Sequence, residues 1–173
     1  MTGSAEASAG TLVAYRLDAE DRIVDVEGDW SPVPGVVGSL IWRFVRGTDL
    51  QDIYRRLFRA ARAGRPLEFP YRCDSPSARR EFSLAIERRA DGTLAVASRL
   101  CRVWERDELL AVTSVPRNDT LVLRCSVCND FRVRGEWADI VDAAAARRLL
   151  ATERPVRVYH AVCPSCRARL RAV

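Results

Sequence analysis

The chain contains no lysine, only one histidine, only one methionine and no long apolar run. All 28 basic side chains are therefore arginine, which we interpret as the codon usage of a GC-rich genome rather than as a device for reading phosphates. No apolar stretch approaches the ~20 residues that a membrane-spanning helix needs, so we expect no membrane association. A single histidine is weak support for general acid–base catalysis, so the sequence does not favour an enzyme.

Motifs of common enzyme classes are also missing. The sequence has no glycine-rich phosphate loop, no HExxH pattern and no Gly-x-Ser-x-Gly elbow. Residues 1–10 are small and polar, without the basic start and apolar centre of a secretory signal. We expect them to form a flexible tail, and we expect the protein to be cytoplasmic.

The composition that is present is typical of a globular protein, with 48% hydrophobic and 29% charged residues among 173. The net charge of +5 is spread along the chain. The stretch from Arg154 to Arg171 has five arginines and no acidic residue. A nucleic-acid footprint needs arginines gathered on one face, so a nucleic-acid partner is possible but ranks behind a protein partner.

The sequence of the first region predicts two strands, then a helix, then three more strands. Apolar and polar residues alternate in five segments, which predicts strands over 11–17, 22–26, 67–73, 81–87 and 94–100. Between the second and third lies a predicted helix with an apolar face, from a capping box of Thr48 and Gln51 to a stop at Gly64. The predicted fold class is α+β, an antiparallel sheet of about five strands with helices on one face.

This order of elements resembles a PAS domain over residues 11–103. The segments that carry the resemblance are VVGSLIWRFV, DIYRRLFRAARAG, EFPYRCDSPSARREFSLAI and DGTLAVASRL, and the Arg-Cys-Asp-Ser-Pro segment is similar to that of bacterial PAS-like proteins. The resemblance implies sensing of a small molecule, redox state or light, or pairing with a protein; it does not identify the ligand. With no histidine in residues 1–103, histidine-ligated haem is excluded there. The surroundings of Cys73 do not match the flavin-adduct motif Asn-Cys-Arg-Phe-Leu-Gln of light-sensing PAS proteins.

The second region is predicted to be a small β/α module. We expect a PAS-like domain over 11–104, a connector over 105–119 and a zinc-binding module over 120–173. Within the module we expect strands over 120–124, 131–133 and 156–160, a helix from Ala138 to Leu150, and a short final helix from Arg167 to Val173.

Two Cys-x-x-Cys motifs give this module its chemistry. They supply Cys125 and Cys128, then Cys163 and Cys166, and each motif places two sulfurs on one tight turn. Two such turns complete a tetrahedral zinc site with Zn–S distances of about 2.3 Å, in an arrangement that resembles a treble-clef zinc finger. Two disulfides, four reduced thiols without a metal, and an iron–sulfur cluster are the alternatives, and zinc is the interpretation that we favour.

The zinc would be structural. A segment as short as 105–173 buries little apolar surface, whereas structural zinc in small fingers contributes roughly 10–16 kcal/mol. Four thiolate ligands leave no coordination position for water, which argues against a catalytic zinc. They also leave no position for His160, which we expect to pack beside the site or to face solvent.

Two further thiols and one charged cluster remain. Cys73 shares the predicted inward face of its strand, so we interpret it as a small buried apolar residue; the alternative for Cys73 or Cys101 is a redox-active thiolate, which requires exposure. The cluster consists of Arg72, Arg79, Arg80, Asp74 and Glu81. We interpret it as a solvated surface network of little net energy, or as a contact for an anionic partner.

The functional hypothesis is a non-enzymatic regulator. A PAS-like sensing or dimerisation domain would be coupled to a structural zinc finger that contacts a macromolecular partner, which is a second protein or a second copy of the chain. The alternatives are a nucleic-acid-binding transcriptional regulator that uses the zinc module and the basic C-terminus, and a thiol-based redox sensor.

Overall fold

The computed structural model describes residues 11–28, 34–106, 112–114, 122–139 and 156–172. The predicted tail (1–10), much of the predicted connector and most of the predicted helix Ala138–Leu150 lie outside these ranges. None of the described helices is long and apolar enough to cross a membrane.

The first sheet has five strands that are antiparallel throughout, in the order β2-β1-β5-β4-β3. The strands are β1 (Thr11–Leu17), β2 (Ile23–Gly28), β3 (Leu67–Arg72), β4 (Ala78–Arg88) and β5 (Leu94–Glu105). The predicted α+β class with a five-stranded antiparallel sheet is confirmed, and the sheet is compatible with a PAS-like one. Strands β4 and β5 extend beyond their predicted ends, because hydrogen bonding continues past the alternating pattern, whereas β3 ends one residue early, at Arg72.

Helix α1 (Thr48–Arg62) contributes buried side chains to the apolar core of the first region. Its buried residues are Ile53, Leu57, Phe58 and Ala61, the apolar face that the 3.6-residue period predicts. They belong to one apolar cluster with Leu84 and Ile86 of β4 and with Leu94 and Val96 of β5. A short 3-10 turn, Ile41–Arg43, precedes the helix.

The predicted capping box of Thr48 and Gln51 is wrong. Gly47, at a φ of 90°, is the N-cap residue, and no side chain caps the helix. The Gln51 side chain instead donates through Nε2 to the carbonyls of Val45 at 2.8 Å and Trp42 at 3.3 Å. Gln51 therefore holds the segment that precedes the helix in place, and it does not cap the first turn.

The second sheet also has five described strands, in the order β6-β10-β7-β8-β9. They are β6 (Val112–Ser114), β7 (Val122–Cys125), β8 (Phe131–Val133), β9 (Glu136–Ala138) and β10 (Val156–Ala161). Strand β10 runs parallel to both β6 and β7, whereas the β7–β8 and β8–β9 pairs are antiparallel. Helix α2 (Pro164–Ala172) follows β10.

Three local predictions for this region need correction. Ala138 ends strand β9, so the predicted helix cannot begin there; its residues from 140 onward lie outside the described ranges. The final helix begins at Pro164 rather than Arg167, because proline suits the first turn, where no backbone N–H is needed. Strand β6 lies inside the predicted connector and pairs with β10.

The two regions share apolar contacts. One cluster of buried side chains contains Leu17 and Phe58 of the first region together with Val127, Val162 and Leu170 of the second. The second region therefore folds against the first rather than only on itself.

Candidate metal centre

The parallel pairing of β7 with β10 brings the two cysteine motifs together. Cys125 ends β7 opposite Ala161 of β10, and Cys128 lies in the tight turn that follows β7. Asn129 continues this turn in the left-handed region, at a φ of 60°, which asparagine tolerates better than most residues. Cys163 lies two residues after the end of β10, and Cys166 lies in the first turn of α2.

The four sulfurs have the spacing of a tetrahedral metal site. The Sγ atoms of the four-cysteine cluster (Cys125, Cys128, Cys163 and Cys166) all lie within 4.8 Å of one another, and Cys128 Sγ is 3.8 Å from Cys163 Sγ. In a tetrahedron with Zn–S bonds of about 2.3 Å, adjacent sulfurs are about 3.8 Å apart. A disulfide needs about 2.05 Å, and all four cysteines are free thiols.

Hydrogen-bond donors surround the sulfurs. The backbone N–H groups of Val127 and Cys163 each donate to Cys125 Sγ at 3.4 Å, and the N–H of Cys166 donates to Cys163 Sγ at 3.4 Å. The Arg169 guanidinium lies 3.6 Å from Cys166 Sγ. Such donors stabilise thiolates, the form in which cysteine binds a metal.

Without a cation, Cys125 is better placed to carry a negative charge than Cys128 or Cys166. Hydrogen bonds from the thiols of Cys128 and Cys166 lower the pKa of Cys125 far below its usual value. For the same reason the pKa of Cys128 is raised strongly and that of Cys166 is raised to about 12, since each thiol donates to Cys125. Three of the cysteines are buried, so several thiolates packed here require a metal cation to offset their repulsion.

The donor set fits zinc. Four soft sulfur ligands suit Zn²⁺ or an iron–sulfur cluster, and a closed set of four is the pattern of structural sites. His160 is half-buried, and its pKa is lowered by burial and by the positive charges of Arg124 and Arg46. It also lines, with Arg46, Ser126 and Tyr159 among others, a cavity of about 270 Å³ at the start of α1.

Beside the four-cysteine cluster lies a buried ionic network that the sequence interpretation placed at the surface. Arg72 is only 8% exposed, and its partners Asp74 and Asp139 have side chains that are 2% and 7% exposed. Arg72 donates to Asp74 Oδ2 at 2.5 Å and to Asp139 Oδ2 at 2.6 Å. The expectation of a solvated network of little energy is therefore wrong at Arg72 and Asp74.

Further partners complete this arginine–aspartate network, which we define as Arg72, Asp74, Arg79, Arg106, Asp130 and Asp139. Arg106 donates to Asp74 Oδ2 at 2.7 Å, and Arg79 lies 3.3 Å from Asp139 Oδ2. Although burial alone would raise the pKa of Asp74, the hydrogen bonds from Arg72 and Arg106 lower it below its usual value. Nothing in the local sequence pattern marked Arg106, Asp130 or Asp139.

The network joins the first sheet to the first cysteine motif. Arg72, the last residue of β3, donates its backbone N–H to the carbonyl of Val127 at 2.7 Å. Its guanidinium also lies 3.3 Å from Asp130 Oδ1, and the carbonyl of Asp130 accepts from the N–H of Cys125 at 2.8 Å. The turn that carries Cys125 and Cys128 is thus fixed to strand β3.

The interpretation of Cys73 as a buried apolar residue is wrong. Both Cys73 and Cys101 are exposed. Strand β3 ends at Arg72, so the strand alternation that would have turned Cys73 inward no longer applies. The exposure that a redox role requires is therefore present at both thiols.

Comparison with protein-family models, with curated proteins and with solved structures finds no match to this chain. Function is therefore inferred from the geometry of the described residues.

Proposed function

We propose that the protein is a non-enzymatic regulatory protein in which a PAS-like sensing or dimerisation domain is coupled to a structural zinc centre. Zinc is bound by Cys125, Cys128, Cys163 and Cys166. The observation that carries the proposal is the meeting of four sulfurs within 4.8 Å, contributed by two motifs that are far apart in sequence.

The role of the metal is structural. Its four protein ligands leave no position for a water molecule to be activated. The metal joins the end of β7 to the first turn of α2. Apart from the side chains that pack into the cluster shared with the first region, the buried apolar residues described for the second region form a cluster of three, Phe131, Val156 and Val158. A small core of this kind benefits most from a metal.

The output passes through a macromolecular partner, which is a protein or a second copy of the chain. Two arginines of the basic C-terminal stretch already contact the chain itself, since Arg167 pairs with Asp49 at 2.5 Å and Arg169 donates to the carbonyl of Pro70 at 3.3 Å. Fewer cations are therefore left for phosphates, which ranks nucleic-acid binding second. Such binding would weaken steeply with salt.

Native mass spectrometry of the purified protein tests the metal and the assembly together. We expect a mass increment of one zinc per chain, lost in Cys128→Ser and kept in the matched control Cys73→Ser, because Cys73 lies outside the four-cysteine cluster. The same spectra report the subunit number and any retained small molecule. Protein without metal in both wild type and control would refute the proposal.

A capture experiment addresses the regulatory role. Zinc-loaded protein is expected to form a homodimer or to retain a protein partner, and zinc-free protein is expected to lose it. A strictly monomeric protein that retains no partner in either state would contradict this part of the proposal.

A further inference from the structure

Among the described strands, β3 is an edge strand of the first sheet and pairs only with β4. In an antiparallel ladder, alternate residues direct their N–H and C=O groups to opposite sides. The N–H of Arg72 and the carbonyl of Pro70, two residues apart, bond to groups outside the sheet and therefore face its outer edge. Pro70 suits such an edge, because its missing N–H removes no ladder hydrogen bond.

Two contacts reach the outer edge of β3, one from the turn between Cys125 and Cys128 and one from helix α2. The carbonyl of Val127, between Cys125 and Cys128, accepts the N–H of Arg72 at 2.7 Å. Arg169 of α2, the helix that carries Cys166, donates to the Pro70 carbonyl at 3.3 Å. The turn of the first motif and the helix that follows from the second thus each supply one contact to the same strand edge, and an open edge is a surface that proteins normally cover.

Arg169 also reaches a sulfur of the four-cysteine cluster. The same Nη2 atom that contacts Pro70 lies 3.6 Å from Cys166 Sγ. Four thiolates carry more negative charge than one dication neutralises. A cation beside one of the thiolates offsets part of this excess. Arg169 is therefore a positioning residue, placed between a metal ligand and the sheet.

We propose that the four-cysteine cluster and strand β3 form one cooperative unit, in which metal binding keeps the outer edge of the first sheet closed and metal release opens it. The inference rests on the proposed metal site and adds its regulation: the metal state of the second region is transmitted to the first sheet through Val127 and Arg169. By linkage, weakening these contacts also weakens metal binding.

Hydrogen–deuterium exchange of the full chain, before and after removal of zinc by a chelator, tests the coupling. Zinc removal is expected to speed exchange about tenfold in the peptide over β3, the size of effect that loss of one net hydrogen bond gives. Peptides over β1 and β2, at the far side of the sheet, are expected to keep their rates. Unchanged β3 exchange overturns the inference, and so does an equal rise in all three strands.

A pair of variants separates this outcome from a failure of the metal site. Arg169→Met is expected to bind one zinc with roughly tenfold weaker affinity in a chelator competition and to show faster β3 exchange while loaded. Arg171 lies on the same helix and is exposed like Arg169, but no contact with β3 or with the four sulfurs is described for it, so Arg171→Met is expected to match the wild type. Absence of zinc from the wild type refutes the proposed function itself. Zinc binding with wild-type affinity and β3 exchange in Arg169→Met refutes the coupling alone.

Discussion

Replacing Arg72 by methionine is expected to destabilise the protein more than any exposed arginine replacement. Methionine keeps much of the side-chain length but removes the cation from Asp74 and Asp139, which are 2% and 7% exposed. Removing one partner of a buried ion pair typically costs about 3–5 kcal/mol, because the remaining charge stays buried. We expect about 3 kcal/mol, since Asp74 keeps Arg106 and Asp139 keeps Arg79.

Urea unfolding of the zinc-loaded protein measures this cost. With a slope of about 2 kcal/mol per molar urea, the midpoint of Arg72→Met should fall by about 1.5 M. The matched control is Arg89→Met, because Arg89 pairs with Glu87 at 2.9 Å while both side chains are more than half exposed. Exposed pairs contribute little, so the control should change stability by less than about 0.5 kcal/mol. Equal midpoints for the two variants would refute the buried-network reasoning.

Three further predictions concern the core, the start of α1 and pH. Phe58→Ala should lower the free energy of unfolding by about 3–5 kcal/mol in urea, since Phe58 is fully buried. Gln51→Ala should lower the free energy of unfolding by about 1 kcal/mol in the same assay. Thr48→Ala should lower it by less than about 0.5 kcal/mol, because the Thr48 side chain does not cap the helix. A larger loss for Thr48→Ala than for Gln51→Ala would show that Thr48 does cap the helix. Because the folded-state pKa of Asp74 is lowered, its contribution is present above the unfolded pKa of about 3.9 and is lost as pH falls through the folded value. Unfolding free energies measured across that range should fall less steeply in Asp74→Asn than in the wild type.

The strands and α1 could be predicted because each buries one face. Leu67 and Phe69 of β3, and Leu84 and Ile86 of β4, are buried at every second position, and this period is visible in the sequence alone. The four-cysteine cluster was predictable for a similar local reason, since each Cys-x-x-Cys places two sulfurs on one turn. What the spacing could not supply was the parallel β7–β10 pairing that brings the two turns together.

The buried network could not be predicted, because its contacts are not local. Arg72 meets Asp130 and Asp139 across sequence separations of 58 and 67 residues. In the sequence, Arg72 stands beside Asp74 and near Arg79 and looks like part of a charged surface segment. Arg72 is buried because the turn that carries Cys125 and Cys128 packs against β3. No sequence periodicity predicts this contact.

The error at the start of α1 has a different cause. Thr48 and Gln51 have the spacing of a capping box, but Gly47 takes the cap position with a φ of 90° that favours glycine. Thr48 then becomes the first helical residue. Gln51 is left to bond the carbonyls of Val45 and Trp42.

X-ray absorption at the zinc edge tests the central claim most directly, because it reads the identity and distance of the atoms around the metal. The wild-type protein is expected to show four sulfur neighbours at about 2.3 Å and no lighter ligand. A shell that contains nitrogen or oxygen, or protein that holds no zinc when isolated under reducing conditions, would contradict the claim that these four cysteines form one closed metal centre.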